Sequence, residues 1–221
     1  LGKDNLFYLS PHIGDMSDVR TVAALRQTIG RMEDLLEIMP GLGACDLHPQ
    51  YNTTIVAHEQ NLPLLPVQHH YAHVLSCMAE NSCTGPVIGV ALDGTGYGTD
   101  GTIWGGEILV ADYRAFTRYG SIMPFIHAGG DAAVRDGWRT ALSLLFELYG
   151  RDALGKGVDI YKLCDYRQAA AQFFMLNSGV NCGISTSTGR LFDGVSALLG
   201  FCLSETFEGE AAMNLQFAAE A

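Results

Sequence analysis

Apolar side chains recur at steps of three and four through Val22, Leu25, Ile29, Met32, Leu36 and Met39, the spacing that gathers them on one face of an α-helix. Ser17 or Asp18 stands where an N-cap is needed, and Pro40-Gly41 ends the pattern. Ala44–Leu47 reads as a short strand broken by His48-Pro49, and Tyr51–Gln60 as a second helix. Pro63 and Pro66 then punctuate the chain before Val67–Ala79, whose pattern is helical and which carries Gln68-His69-His70-Tyr71-Ala72-His73. After Asn81–Pro86 the texture changes. Val87–Leu92 is an unbroken apolar run with β-branched members, the signature of a strand buried on both faces, and it stops at Asp93. Gly94–Gly101 reads as a glycine-rich turn into a second strand over Thr102–Val110. Helical spacing returns over Arg139–Tyr149, Tyr166–Asn177, Leu191–Leu199 and the Ala-rich Glu210–Ala221. This order predicts α/β lobes with a seam near Ser82–Pro86, dividing the chain into residues 1–81 and 86–221.

Composition narrows the functions open to such a fold. Among 221 residues only 17% are charged, and 24 Asp and Glu outweigh 13 Lys and Arg to give a formal charge of −11. That field repels nucleic acid and anionic lipid over most of the surface while leaving room for a local nucleotide site. No window approaches the roughly 18 apolar residues of a membrane span, and no export signal opens the chain, so a cytoplasmic protein is expected. Six cysteines are scattered singly, without a C-x-x-C pair, and are expected mostly as buried free thiols. The lack of an initiator Met and the Ala-rich close suggest a piece of a longer chain.

Three places offer chemistry. His69 and His73 are four apart, so a helix stacks their imidazoles on one face within reach of a shared cation. His70 turns about 100° away, and Cys77, about 12 Å along the axis from His69, is assigned to packing. A pair at this spacing is also common as packed or capped histidines. Asp93, at the end of a strand, would complete an N,N,O donor set suited to iron or zinc. The glycines after it, Gly94, Gly96 and Gly98, permit close approach to a phosphate, although a following strand excludes a Rossmann fingerprint. Finally, Ser185–Asp193 sets hydroxyls and Gly189 ahead of a helix, where an anion can bind and where Asp193 can meet ribose hydroxyls; N-capping with an Arg190–Asp193 surface pair reads equally well. His12, His48, His58 and His127 have no partner by spacing.

These stretches together resemble the HypF family of hydrogenase-maturation carbamoyltransferases, specifically its C-terminal carbamoyl-transfer domain. The carrying segments are Ser10–Asp15 (SPHIGD), Asp46–Tyr51 (DLHPQY), Val67–Glu80 (VQHHYAHVLSCMAE), Val90–Glu107 (VALDGTGYGTDGTIWGGE), Gly189–Gly200 (GRLFDGVSALLG) and Phe207–Ala212 (FEGEAA). The resemblance implies a two-lobed actin-like ATPase (RNase H-like) fold, here truncated, related to tRNA threonylcarbamoyl-transfer enzymes and antibiotic O-carbamoyltransferases. It places the metal ligands and catalytic residues on His69, His73 and Asp93. Nucleotide contacts fall on Gly94, Thr95, Gly96, Tyr97, Gly98 and Gly189, and the ribose-side aspartate on Asp193. It further implies a divalent metal (iron or zinc), and carbamoyl-adenylate made from carbamoyl phosphate and ATP by a domain outside this chain. The implied acceptor is the C-terminal cysteine of HypE, whose thiocarboxamide becomes the cyanide ligand of nickel-iron hydrogenase. An O-carbamoyltransferase acting on a small alcohol, or a noncatalytic scaffold of the same fold, is the alternative. Tyr71 stands where the family has a further His, Gly137 where it has Pro, and Asn214 and Gln216 where acidic residues are expected. With a first-lobe strand, part of the second lobe and the accessory domains outside it, this piece alone is expected not to complete catalysis.

Overall fold

The computed structural model describes residues 1–155 and 159–221. By its internal contacts the chain divides into two compact units, Leu1–His69 and His70–Ala221. The division falls inside a helix, whereas the linker-like composition lies beyond it at 82–86.

In the first unit, β1 (Gly2–Lys3) and β2 (Leu6–Phe7) form an antiparallel pair. The helix expected from apolar spacing is α1 (Val19–Leu36); Asp18 caps it, its carboxylate accepting the Arg20 N–H at 2.8 Å. A βαβ unit follows: β3 (Gly43–Asp46), α2 (Asn52–Glu59) and β4 (Leu64–Val67). β3 and β4 pair in parallel from Gly43↔Leu64 to Asp46↔Val67, so their carboxyl ends lie side by side. The segment read as proline punctuation is thus a strand, and Pro66 is tolerated in it because each strand of a two-stranded sheet is an edge. Val67 belongs to this strand rather than to the helix predicted from it.

The helix begins two residues later as α3 (His69–Glu80), whose first residue closes the first unit. The second unit continues with β5 (Val87–Tyr97), β6 (Ile103–Ala111), β7 (Phe116–Ser121) and β8 (Phe125–Ala128). Then come α4 (Ala132–Arg135), α5 (Gly137–Tyr149), 3₁₀ turns at Gly150–Gly155 and Ile160–Lys162, and α6 (Tyr166–Ser178). β9 (Cys182–Ser185), α7 (Thr188–Leu198) and α8 (Glu210–Glu220) complete it. The sheet runs β5-β6-β9-β8, with β7 on β6. β6 and β9 are parallel, meeting at Ile103↔Ser185, and the other pairs are antiparallel.

One core gathers Trp138, Leu142 and Leu145 of α5 with Phe173 and Leu176 of α6 and Ala197 of α7. Another packs Val74 and Met78 of α3 on Trp104, Leu109 and Ala111 of β6. A Cβ on Gly137 would stand 2.9 Å from Asp193 O, so its bare backbone lets α5 meet α7. Gln216, on α8, donates to Glu220 Oε1 at 2.8 Å.

Two expectations are corrected. β5 is not buried on both faces: Ile88, Val90 and Leu92 are 75%, 63% and 64% exposed, while Ala91 between them is buried. It pairs only with β6 among the described residues, so an apolar run here marks an edge strand with one covered face. Of the cysteines, all are free, but only Cys202 is buried, and Cys77 and Cys83 are exposed, so Cys77 is not a core thiol. No helix among the described residues is long and apolar enough to cross a membrane.

Candidate metal centre

α3 begins where β4 ends, so His69 occupies the first helical position and His73 stacks one turn on. Asp93 lies in the middle of β5, not at its end. The β5–β6 register shifts between Leu92 and Gly96, so Asp93 lies in an irregular stretch of the ladder. One donor atom from each of His69, His73 and Asp93 falls within 4.8 Å of the others. Asp93 Oδ2 lies 3.9 Å from His73 Nε2, and Asp93 Oδ1 accepts the Gly94 N–H at 2.6 Å. Two imidazoles and a carboxylate at this separation match what zinc or ferrous iron takes when positions remain open for substrate.

His70, expected to turn away from the pair, also reaches this carboxylate. Its side chain is fully buried, its ring centroid lies 6.3 Å from that of Trp104, and its Nε2 stands 3.6 Å from Asp93 Oδ2. The helical angle of 100° is kept; β5 passes on that side of the helix, which the angle alone does not reveal. Asp46, part of the DLHPQY motif, also approaches the site: its Oδ2 lies 2.7 Å from His69 Nδ1.

Two of the glycines, Gly105 and Gly189, serve close backbone packing. The turn proper spans Gly98–Thr102, with Gly98 N–H donating to Thr102 O at 2.9 Å and Gly101 at φ +77°. Gly94, Thr95, Gly96 and Tyr97 lie within β5 instead. A Cβ on Gly189, in the first turn of α7, would sit 2.8 Å from Gly94 Cα, and one on Gly105 2.6 Å from Asp93 O. Ser187 Oγ, the N-cap of α7, accepts the Arg190 N–H at 3.0 Å and donates to Gly94 O. The Ser185–Gly189 segment is thereby pinned against the strand that carries Asp93.

Asp193 is 2% exposed, and its Oδ2 lies 2.8 Å from Arg190 Nε. The Arg–Asp pair read from sequence is present, but inside the protein rather than on its surface. Burial pushes Asp193 up to about 7, with Arg190 opposing and Glu205 adding to the rise. His127 is structural: Nε2 lies 3.2 Å from Gly130 O, and burial lowers its pKa.

Glu107 and Arg118 also escaped the sequence reading. Glu107 is fully buried on β6, accepting from Arg118 Nε at 2.7 Å and from Thr186 Oγ1. Arg118 continues to Asp100 Oδ2 at 3.0 Å and lies over the Trp104 ring at 4.2 Å. This network ties the hairpin turn to β7 and to the segment before α7. The signal available in sequence was an acidic residue in an otherwise apolar strand, which demands a cationic partner when buried.

A family model for the HypF Kae1-like domain matches residues 1–80, and one for the second subdomain of the carbamoyltransferase Kae1-like domain matches residues 89–221. The chain is 39% identical over 210 residues to carbamoyltransferase HypF of Rhizobium leguminosarum bv. viciae, covering 95% of this chain and 27% of that protein. It is 36% identical to a probable carbamoyltransferase HypF of Methanocaldococcus jannaschii, covering 97% of this chain and 28% of that one. A crystal structure of full-length HypF in the phosphate- and nucleotide-bound form aligns at TM-score 0.85 and 37% identity, over 93% of this chain and 32% of that chain. The crystal structure of T. kodakarensis HypF aligns at TM-score 0.84 and 36% identity, over 94% and 29%. The chain thus spans roughly a quarter to a third of these relatives. Its mixed α/β architecture is that of HypF Kae1-like domains, consistent with an actin-like ATPase-type fold.

Proposed function

This chain belongs to the HypF carbamoyltransferase family, and from that premise we propose that it carries the cation-binding part of a carbamoyl-transfer site used in hydrogenase maturation. The observation that supports this reading is the convergence of His69, His73 and Asp93 on one small volume. In this reading the three side chains hold a divalent iron or zinc ion. When bound, that ion supplies Lewis acidity toward a carbonyl or phosphoryl oxygen. Asp93 is held by the Gly94 N–H, and the two imidazoles by the turn of α3, so the donors are pre-set before any ligand arrives.

The substrate in this reading is carbamoyl-adenylate, formed from carbamoyl phosphate and ATP by another part of the longer protein. The nucleotide side falls on Gly94, Thr95, Gly96, Tyr97, Gly98 and Gly189; a relative crystallised in a phosphate- and nucleotide-bound form supports a nucleotide role for the family. Backbone amides of this glycine-rich strand would stabilise developing negative charge. The acceptor is the C-terminal cysteine of HypE. Its thiol gives up its proton to solvent, sulfur bonds to the carbamoyl carbon, and the bond from that carbon to the AMP phosphate oxygen breaks, the electron pair leaving with AMP. We place the protein in the cytoplasm with no nucleic-acid or membrane partner, in keeping with a formal charge of −11.

Calorimetric titration of this chain with Zn²⁺ tests the reading. The His69→Ala/His73→Ala double variant is expected to lose most of the uptake, and equal uptake by both proteins would overturn the metal assignment. In the complete protein, mass spectrometry should detect a thiocarboxamide on the HypE tail. Carbamoylation of a small alcohol in place of HypE would point to the O-carbamoyltransferase branch.

A further inference from the structure

Asp46 ends β3, and its parallel-register neighbour is Val67, the last residue of β4. Two residues beyond Val67 the chain enters α3 at His69. Carboxyl ends of parallel strands are where α/β folds present their functional groups, and here that geometry sets a carboxylate beside an imidazole. Asp46 Oδ2 lies 2.7 Å from His69 Nδ1, with the carboxylate 14% exposed and the imidazole 31%. The carboxylate is itself fixed: Oδ1 accepts the His48 N–H at 2.7 Å, and the main-chain oxygen of Asp46 accepts from Thr54 Oγ1 at 3.4 Å.

A carboxylate only accepts, so this contact calls for a proton on His69 Nδ1, which in the neutral ring leaves the lone pair on Nε2. Asp46 is not one of the three clustered donors. We propose that Asp46 is a positioning residue for the cation site, holding the His69 ring in one tautomer and one orientation so that Nε2 is presented as the ligand. This inference rests on the reading of His69, His73 and Asp93 as cation ligands. Its chemical logic is general: a metal-bound imidazole is usually held from its far nitrogen, and loss of that partner typically weakens binding about 10–100-fold.

The discriminating variant is Asp46→Asn. With its amide oxygen at the Oδ1 position it still accepts the His48 N–H, while the NH2 group at the Oδ2 position cannot accept the His69 Nδ1–H, so the imidazole loses its acceptor. Co²⁺ serves as the probe, followed by calorimetry and by its visible absorption. The expected result is an affinity roughly 10–100-fold below that of the unaltered chain, with the saturated spectrum unchanged because the ligands are the same. His69→Ala should alter both affinity and spectrum. The inference fails if Asp46→Asn binds Co²⁺ as tightly as the unaltered chain while His69→Ala does not. It fails equally if Asp46→Asn reproduces the His69→Ala spectrum, which would make Asp46 itself a ligand. If His69→Ala/His73→Ala keeps full uptake, the metal centre itself falls, and this role with it. Should Asp46→Asn fold poorly, ¹⁵N shifts of the His69 ring in the unaltered, metal-free chain decide. A protonated Nδ1 supports the role, and a protonated Nε2 overturns it.

Discussion

The side chains of greatest chemical interest divide by how local their geometry is. His69 and His73 are neighbours because a helix makes them so, and their pairing was legible from a spacing of four. His70, Asp46 and Glu107 owe their contacts to other elements arriving from elsewhere in the chain, and their immediate sequence does not say which element supplies the partner. Asp193 illustrates the consequence for charge. In the folded protein its pKa is raised to about 7 from an ordinary value of 3.8, chiefly by burial. A carboxyl that binds its proton more tightly when folded contributes stability that is full below its unfolded value and is lost as pH rises through its folded value. Asp193→Asn, close in shape and always neutral, removes that dependence. In thermal melts from about pH 5 to pH 8 the unaltered chain should lose stability with rising pH more steeply than the variant, and parallel curves would contradict the assignment.

At the scale of elements, hydrophobic period identified helices well and strands less well. α1, α3, α5, α6, α7 and α8 all fall where apolar spacing or Ala-rich composition placed them. β7, β8 and β9 were missed as strands, being short or weakly alternating. The run Val87–Leu92 identified a strand but misjudged its surroundings, because uniform hydrophobicity does not tell which face a neighbouring helix covers. Glycines carry a sharper message in the structure than in the sequence. Gly189 is required by the crossing of α7 over β5, whereas Gly30 lies inside α1 with nothing within 4 Å of where a Cβ would stand. Gly189→Ala should therefore cost about 1–3 kcal/mol through overpacking. Gly30→Ala should gain about 0.5–1 kcal/mol through helix propensity. Urea unfolding of the two variants against the parent chain would reveal opposite signs; a neutral Gly189→Ala would mean that the close backbone crossing is absent in solution.

Across the whole molecule, the buried apolar clusters of the described residues lie in the second unit, and many other apolar residues are exposed. Leu142 is fully buried among the helices α5, α6 and α7, while Val90, equally hydrophobic, is 63% exposed. Leu142→Ala should cost about 2–5 kcal/mol, the transfer energy of the lost methyls plus the cavity they leave. Val90→Thr should stay within about 0.5 kcal/mol of the parent. Denaturant melts of this chain that ranked the two the other way would place the core elsewhere. The same scale explains why the seam expected at 82–86 differs from the division at His69/His70. Linker-like composition marks a loop, whereas contact density marks which elements pack together, and α3 packs on β6 through Val74 and Met78.

By itself the sequence determined the α/β class, the main helices, the histidine pair and its likeness to HypF carbamoyltransferases, because periodicity, capping residues and short motifs are local properties. The place of Asp93 beside the two imidazoles is legible in the sequence as well, whereas tertiary structure alone decided the approach of Asp46 to His69. It also decided the inward turn of the Arg190–Asp193 pair and the outward face of β5. Each of these depends on which backbone passes within a few ångströms of which, and that is set by strand register, bulges and side-chain-free crossings.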